Sequence, residues 1–113
     1  MDTVNERVVA YKAVKDKLES EGMTDVWVGG MVRLEIRGYL PDGRFFYFHA
    51  RGERCGLSVW TGPVEMTEDD YPTRSSDWEK TIFPRLFPEM TFLEPHEGET
   101  YFRQLLKEVP VAM

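Results

Sequence analysis

The run MVRLEIRGYLPDGRFFYFHARGERCGLSVW, from Met31 to Trp60, reads as three antiparallel strands joined by two tight turns. Leu40-Pro41-Asp42-Gly43-Arg44 fits a type I turn closed by a glycine bulge, because proline presets φ and Gly43 takes the left-handed position. Gly52-Glu53 fits a two-residue turn with glycine where φ must be positive. These loop lengths set the register. They place Glu35 opposite His49, Arg37 opposite Tyr47 and Arg33 opposite Arg51. They also place Ile36 opposite Phe48, and Phe48 opposite Leu57.

Side chains alternate across a strand, so this register sorts them into two faces. Val32, Leu34, Ile36, Phe46, Phe48, Leu57 and Val59 form an apolar face, the expected core. Cys55 falls on the same side, where a buried thiol behaves as a small hydrophobe. The other face holds Arg33, Glu35, Arg37, Tyr39, Phe45, Tyr47, His49, Arg51, Arg54, Ser58 and Trp60. It is aromatic and cationic.

Outward from this unit, Thr3-Val4-Asn5-Glu6 is a capping box and Gly22 a helix stop. Val4, Val8, Tyr11, Val14 and Leu18 between them follow helical spacing. Asp25 to Val28 fits a short strand, and Gly29-Gly30 a turn. Val64 to Glu68 fits an added edge strand. Ser76-Asp77-Trp78-Glu79 reads as a second capping box opening a short middle helix with Trp78, Ile82, Phe83 and Leu86, limited by Pro84 and Pro88. Met90 to Leu93 fits a strand, and Gly98 to Val109 a last helix that Pro110 ends. The expectation is one α+β domain over residues 1–113. An antiparallel meander of three to five strands carries an N-terminal helix, a short middle helix and a C-terminal helix packed on the sheet.

The chain of 113 residues is 42% hydrophobic and 30% charged, as soluble globular proteins are. No apolar run approaches the roughly 18 residues of a membrane span. Met1 to Glu6 lacks the basic-then-apolar pattern of a signal peptide. Cys55 is the one cysteine, so no internal disulfide and no Cys-rich zinc site is expected, and a cytoplasmic setting fits. The net charge is −6 and unevenly spread. Residues 31–60 carry five Arg against Glu35, Asp42 and Glu53, while residues 61–100 carry ten acids against Arg74, Lys80 and Arg85. Overall acidity argues against nucleic acid, whose phosphates require Lys and Arg. It favours a basic protein partner, or serves solubility alone.

Arginine interleaved with Tyr and Trp suits a protein interface, since these residues dominate binding hot spots. The same composition suits stacking on unpaired bases, or burial under another part of the chain such as the middle helix. The candidate binding residues are Arg33, Glu35, Arg37, Tyr39, Tyr47, His49, Arg51 and Trp60, with Glu68, Asp69 and Asp70 as a steering cluster. Glu35 across from His49 is also the kind of pair that orients a general base. No Ser or Cys nucleophile is fixed beside it, because Cys55 has the wrong parity. Glu68-Asp69-Asp70 lacks the alternating ligands and glycine of a calcium loop. No cofactor, metal site or catalytic residue is assigned.

The α-βββ-α order and the acidity resemble small type III secretion chaperones, which are acidic homodimers with helices on a twisted sheet. Met90 to Leu93 is all that corresponds to their second strand pair, and no residue carries over. Size, acidity and the lack of an active-site motif are also similar to immunity proteins and phage-encoded inhibitors. The reading that follows is a non-enzymatic, acidic, bacterial or phage protein that masks a partner's surface. The alternatives are a chaperone-like homodimer, a sheet-face binder of single-stranded RNA, and a small enzyme using Glu35 and His49.

Overall fold

The computed structural model describes residues 3–30, 34–51, 54–69, 71–83 and 95–111. Helix α1 (Thr3–Ser20) precedes strands β1 (Thr24–Gly29), β2 (Leu34–Tyr39), β3 (Phe45–Arg51), β4 (Arg54–Trp60) and β5 (Trp78–Ile82), and helix α2 (Pro95–Leu106) follows. The strands form one antiparallel sheet in the order β1-β2-β3-β4-β5. Local chemistry explains the joints. At the end of α1, Met23 N–H reaches Leu18 C=O and Gly22 N–H reaches Glu19 C=O, with Gly22 at φ 101°. That is a Schellman cap, and its usual hydrophobic contact is supplied by the buried Met23 and Leu18. Between β2 and β3, Gly43 N–H donates to Leu40 C=O and Gly43 sits at φ 92°, as the turn reading requires.

The register follows the sequence expectation at Glu35↔His49, Ile36↔Phe48, Arg37↔Tyr47 and Phe48↔Leu57. Leu34, Ile36, Phe46, Phe48, Cys55, Leu57 and Val59 are all buried on one face. Helices α1 and α2 supply Val14, Leu18, Phe102 and Leu105 to the same cluster. Phe102 lies 5.2 Å from Phe46 and 5.5 Å from Phe48, ring centre to ring centre. The Arg103 guanidinium clamps the Glu21 carboxylate at 2.8 and 2.7 Å and so ties α2 to the end of α1.

Among the described residues the expected middle helix is not there. Residues 78–82 are strand β5, paired with β4 from Val59↔Trp78 to Cys55↔Ile82. Trp78 and Ile82 are four apart, and a four-residue spacing puts two side chains on one face of a strand as well as of a helix. Trp and the β-branched Thr81 and Ile82 favour the strand, and β4 offers a free edge. Lys80, on the same face, stretches to pair with Glu108 beyond α2. Residues 84–94, which include the rest of that helix and the strand expected at Met90–Leu93, lie outside the described residues, as do Val32 and Arg33. Residues 64–68 form no strand either; they make one bridge, Met66↔Pro72. Helix α2 begins at Pro95 rather than Gly98, proline being well suited to a first helical turn.

Helix α2 approaches the sheet at Gly98, where an added Cβ would overlap the Leu34 Cδ2 methyl. Alanine favours a helix over glycine by up to about 1 kcal/mol, whereas overpacking a core costs about 1–3 kcal/mol. The clash should win. Gly98→Ala is expected to lower unfolding free energy in urea by about 1–2 kcal/mol, and a stabilised variant would show that the helix lifts freely.

Candidate functional site

The second face of the sheet divides into two ends. At one, Phe45, Tyr47 and Trp60 are buried, at 4%, 8% and 1% exposure, with Tyr39, Val64 and Met66 packed against them. The cover is the segment from Thr61 to Asp77. It doubles back on itself through Thr67 N–H to Tyr71 C=O and Thr73 N–H to Glu65 C=O. The Tyr71 ring closes edge-on over Tyr47 at 5.1 Å and Trp60 at 5.7 Å. Trp60 and Tyr47, expected from sequence among the binding residues, are therefore not exposed anchors. They lie beneath their own chain, and a connection between β4 and β5 covers them, not a helix.

Asp77 fastens this cover. Its carboxylate accepts Thr61 N–H at 2.7 Å, Thr61 Oγ1–H at 2.8 Å and the Arg74 guanidinium at 3.0 Å. Arg74 also donates to Thr61 C=O, and its own C=O accepts the Trp60 indole N–H at 2.9 Å. The Thr61 donors, then Arg74, hold the Asp77 carboxyl down to about 2. Asp77 was read from sequence as part of a helix cap; it instead caps the backbone of Thr61. Ser76 Oγ donates to Glu79 at 3.2 Å.

The other end of the face is not reached by this cover, and Trp27 and Thr81 are exposed there. Register places Trp27, Arg37, Tyr47 and Ser58 in one row, and Gly29, Glu35, His49, Gly56 and Thr81 in the next. Two glycines make room for rings. An added Cβ at Gly29 would stand 2.7 Å from the Trp27 indole, and one at Gly56 would stand 2.9 Å from His49 Cε1. The Trp27 indole and the His49 imidazole thus lie down over bare backbone. Arg37 sits 4.7 Å above the Trp27 ring, a cation–π contact. Trp27 is nevertheless 43% exposed. Glu35, Arg37, Tyr39 and His49 are half-buried.

Trp27 was absent from the sequence-based site. The signal was present in Val26-Trp27-Val28-Gly29: with both valines in the core, alternation puts Trp27 on the opposite face. Of the expected residues, Arg33 and Asp70 lie outside the described residues, and the Arg51 side chain is not described. Glu68 and Asp69 are exposed on the covering segment. Glu35 and His49 are register partners, and the Thr81 hydroxyl lies beyond them. His49 Nε2 and Thr81 Oγ1 fall 3.3 and 3.4 Å from the point above Gly56. Cys55 is buried on the core face, and burial pushes its thiol up to about 11. Among the described residues, no helix is long and apolar enough to cross a membrane, and no group of three or more His, Cys, Asp or Glu is placed to hold a metal ion. No family model, curated protein or solved structure matches this chain.

Two outcomes follow from the unequal ends. Trp60→Ala should cost about 3–5 kcal/mol of stability, as loss of a buried aromatic does. Trp27→Ala should cost less, about 1–2 kcal/mol, because the ring is 43% exposed. Equal losses in denaturant melts would show that Trp27 is core. The second outcome concerns pH. Asp77 is depressed in the folded chain, so its contribution is present above its unfolded value near 3.8 and is lost as pH falls towards about 2. Wild type should lose more stability than Asp77→Asn between pH 4 and pH 2, and parallel curves would separate Asp77 from the cover.

Proposed function

We propose that this chain is a non-enzymatic acidic protein of the cytoplasm, immunity-like or phage-inhibitor-like, that binds a partner protein and masks part of its surface. One observation carries the reading: the covering segment stops partway across the second face and leaves Trp27, Arg37, Glu35 and His49 accessible, with the indole already seated under a guanidinium. An exposed aromatic paired with Arg is the composition of an interface anchor, and a fixed ring loses little entropy on binding. Glu65, Glu68 and Asp69 are exposed on the covering segment and suit steering towards a basic partner.

A second reading has its own observation. Glu35, His49 and Thr81 stand in the order carboxylate, imidazole, hydroxyl, which is the order of a nucleophile with its base. Dose dependence separates the two. A masking protein acts stoichiometrically, saturating at a fixed ratio to its partner, and the Glu35→Gln, His49→Asn double variant should keep activity within about tenfold because contacts are spread over the surface. Loss of a general base costs about 10²–10⁴ in rate. If a trace of protein consumes many equivalents of target and the double variant abolishes this, the masking reading is wrong. With a captured partner, Arg37→Ala should weaken binding by about 1–4 kcal/mol while the melting temperature stays nearly unchanged. Neutralising Glu65, Glu68, Asp69 and Asp70 should slow association, less so as salt shortens the screening length to about 8 Å near 0.15 M.

A further inference from the structure

The segment from Thr61 to Asp77 is thin for what it hides. Beneath it Trp60, Phe45 and Tyr47 are 1%, 4% and 8% exposed, yet among its own described residues only Pro72 is buried. Val64 and Met66 are half-buried, and Tyr71, whose ring closes over Tyr47 and Trp60, is itself 41% exposed. Much of its hydrogen bonding is internal. Thr67 N–H reaches Tyr71 C=O at 2.7 Å, Thr73 N–H reaches Glu65 C=O at 2.9 Å, and the N–H groups of Asp69 and Tyr71 both donate to Thr67 Oγ1. Such bonds survive when the segment moves as a body. Where it leaves β4, Gly62 stands at φ 69°, and beyond its chain neighbours no atom lies within 4 Å of an added Cβ. That is a joint able to rotate without a clash. Asp77 clasps the two ends together by accepting both Thr61 donors and the Arg74 guanidinium. Arg74 C=O in turn holds the Trp60 indole N–H at 2.9 Å. Arg74 and Asp77 are both exposed to water.

We propose that this segment is an autoinhibitory strap. It lifts as one unit from the aromatic end of the sheet while the sheet and both helices stay folded, and the Asp77 clasp sets how often it is up. Parts of a protein with few buried apolar side chains and water-exposed hydrogen bonds open before the core does. The strap has both properties, whereas the opposite face of the sheet is closed by the buried Val14, Leu18, Phe102 and Leu105. Lifting breaks the Tyr71 ring contacts, the packing of Val64 and Met66, the indole bond to Arg74 and the clasp. It uncovers Phe45, Tyr47 and Trp60 together, with Tyr47 in the same register row as Trp27 and Arg37. While down, the strap withholds these three rings from the surface that carries Trp27. The withholding rests on the reading of that surface as a partner-binding face; the lifting does not.

Hydrogen exchange on the isotope-labelled full chain, in rising but sub-denaturing urea, reads strap and core separately. The Trp60 indole N–H and the Thr61 amide report the strap, and the Ile36 and Phe48 amides report the sheet. Corrected for intrinsic rates, the two strap groups should exchange together, about a hundredfold or more faster than the sheet amides. Their urea dependence should be weak, while the sheet amides follow global unfolding. Phe102→Leu, on the far face, should speed the sheet amides about tenfold and leave the indole within about twofold, because Phe102 stays packed in the lifted state. Asp77→Ala should speed the indole about tenfold or more without steepening its urea dependence. An indole that exchanges in step with Ile36 and Phe48, that follows Phe102→Leu, or that ignores Asp77→Ala would overturn the strap. So would an indole and a Thr61 amide that open independently. Failure of the masking reading, shown by turnover with a trace of protein, would leave these rates untouched, and a strap that never lifts would leave masking to the Trp27 end alone.

Discussion

Phe102 wedged against Phe46 and Phe48 is the contact on which the arrangement depends. It seats α2 on the centre of the sheet, at ring separations of 5.2 and 5.5 Å. Gly98 then brings the first turn of the helix down onto Leu34. With α2 placed, Arg103, held by Glu99 on its own helix, reaches Glu21 and ties α2 to the end of α1. These ion pairs are partly exposed, and such pairs contribute little stability by themselves. Their consequence is positional. Burial of the aromatic and aliphatic face supplies the stability, and the charged groups choose among the ways of covering it.

Both helices lie on one face, so the other must be handled differently. Its Phe45, Tyr47 and Trp60 cannot be left in water together without forming a large apolar patch. Strands β4 and β5 are antiparallel neighbours that a hairpin turn of a few residues can join. The chain instead runs from Thr61 to Asp77 between them, and that length folds Val64, Met66 and Tyr71 over the aromatic end. Long connections without secondary structure of their own are uncommon in compact domains. Here the connection works as a third layer, pinned at its two ends by Asp77 on Thr61 and by Arg74 on Trp60.

The meander was legible because two independent signals agreed. Turn chemistry at Pro41-Asp42-Gly43 set the register, and two-residue alternation from Leu34 to Trp60 then had one consistent core face. Strand β5 was illegible for the opposite reason. Trp78 and Ile82 satisfy both periods, and Ser76-Asp77 before Glu79 imitates a helix cap. Which one forms depends on the free edge of β4, a tertiary fact. The burial of Trp60 and Tyr47 was hidden similarly, since nothing local in Thr61 to Asp77 marks it as a cover. Trp27 is readable from Val26-Trp27-Val28, where alternation between two core valines puts it on the second face.

Glycine placement argues that the end of the second face beyond this cover is built rather than left over. Glycine within a strand carries an entropic penalty and contributes no side chain to packing. A face that merely met solvent would be better served by Thr or Lys at positions 29 and 56. Both positions instead lie under rings, the Trp27 indole and the His49 imidazole, which an added Cβ would displace. The rings thereby pack against the backbone of the sheet. Arg37 is held over one of them. An aromatic ring ordered in this way has already lost side-chain freedom in the folded chain. The stability given up at two glycines is thus tied to the placement of two rings against the sheet.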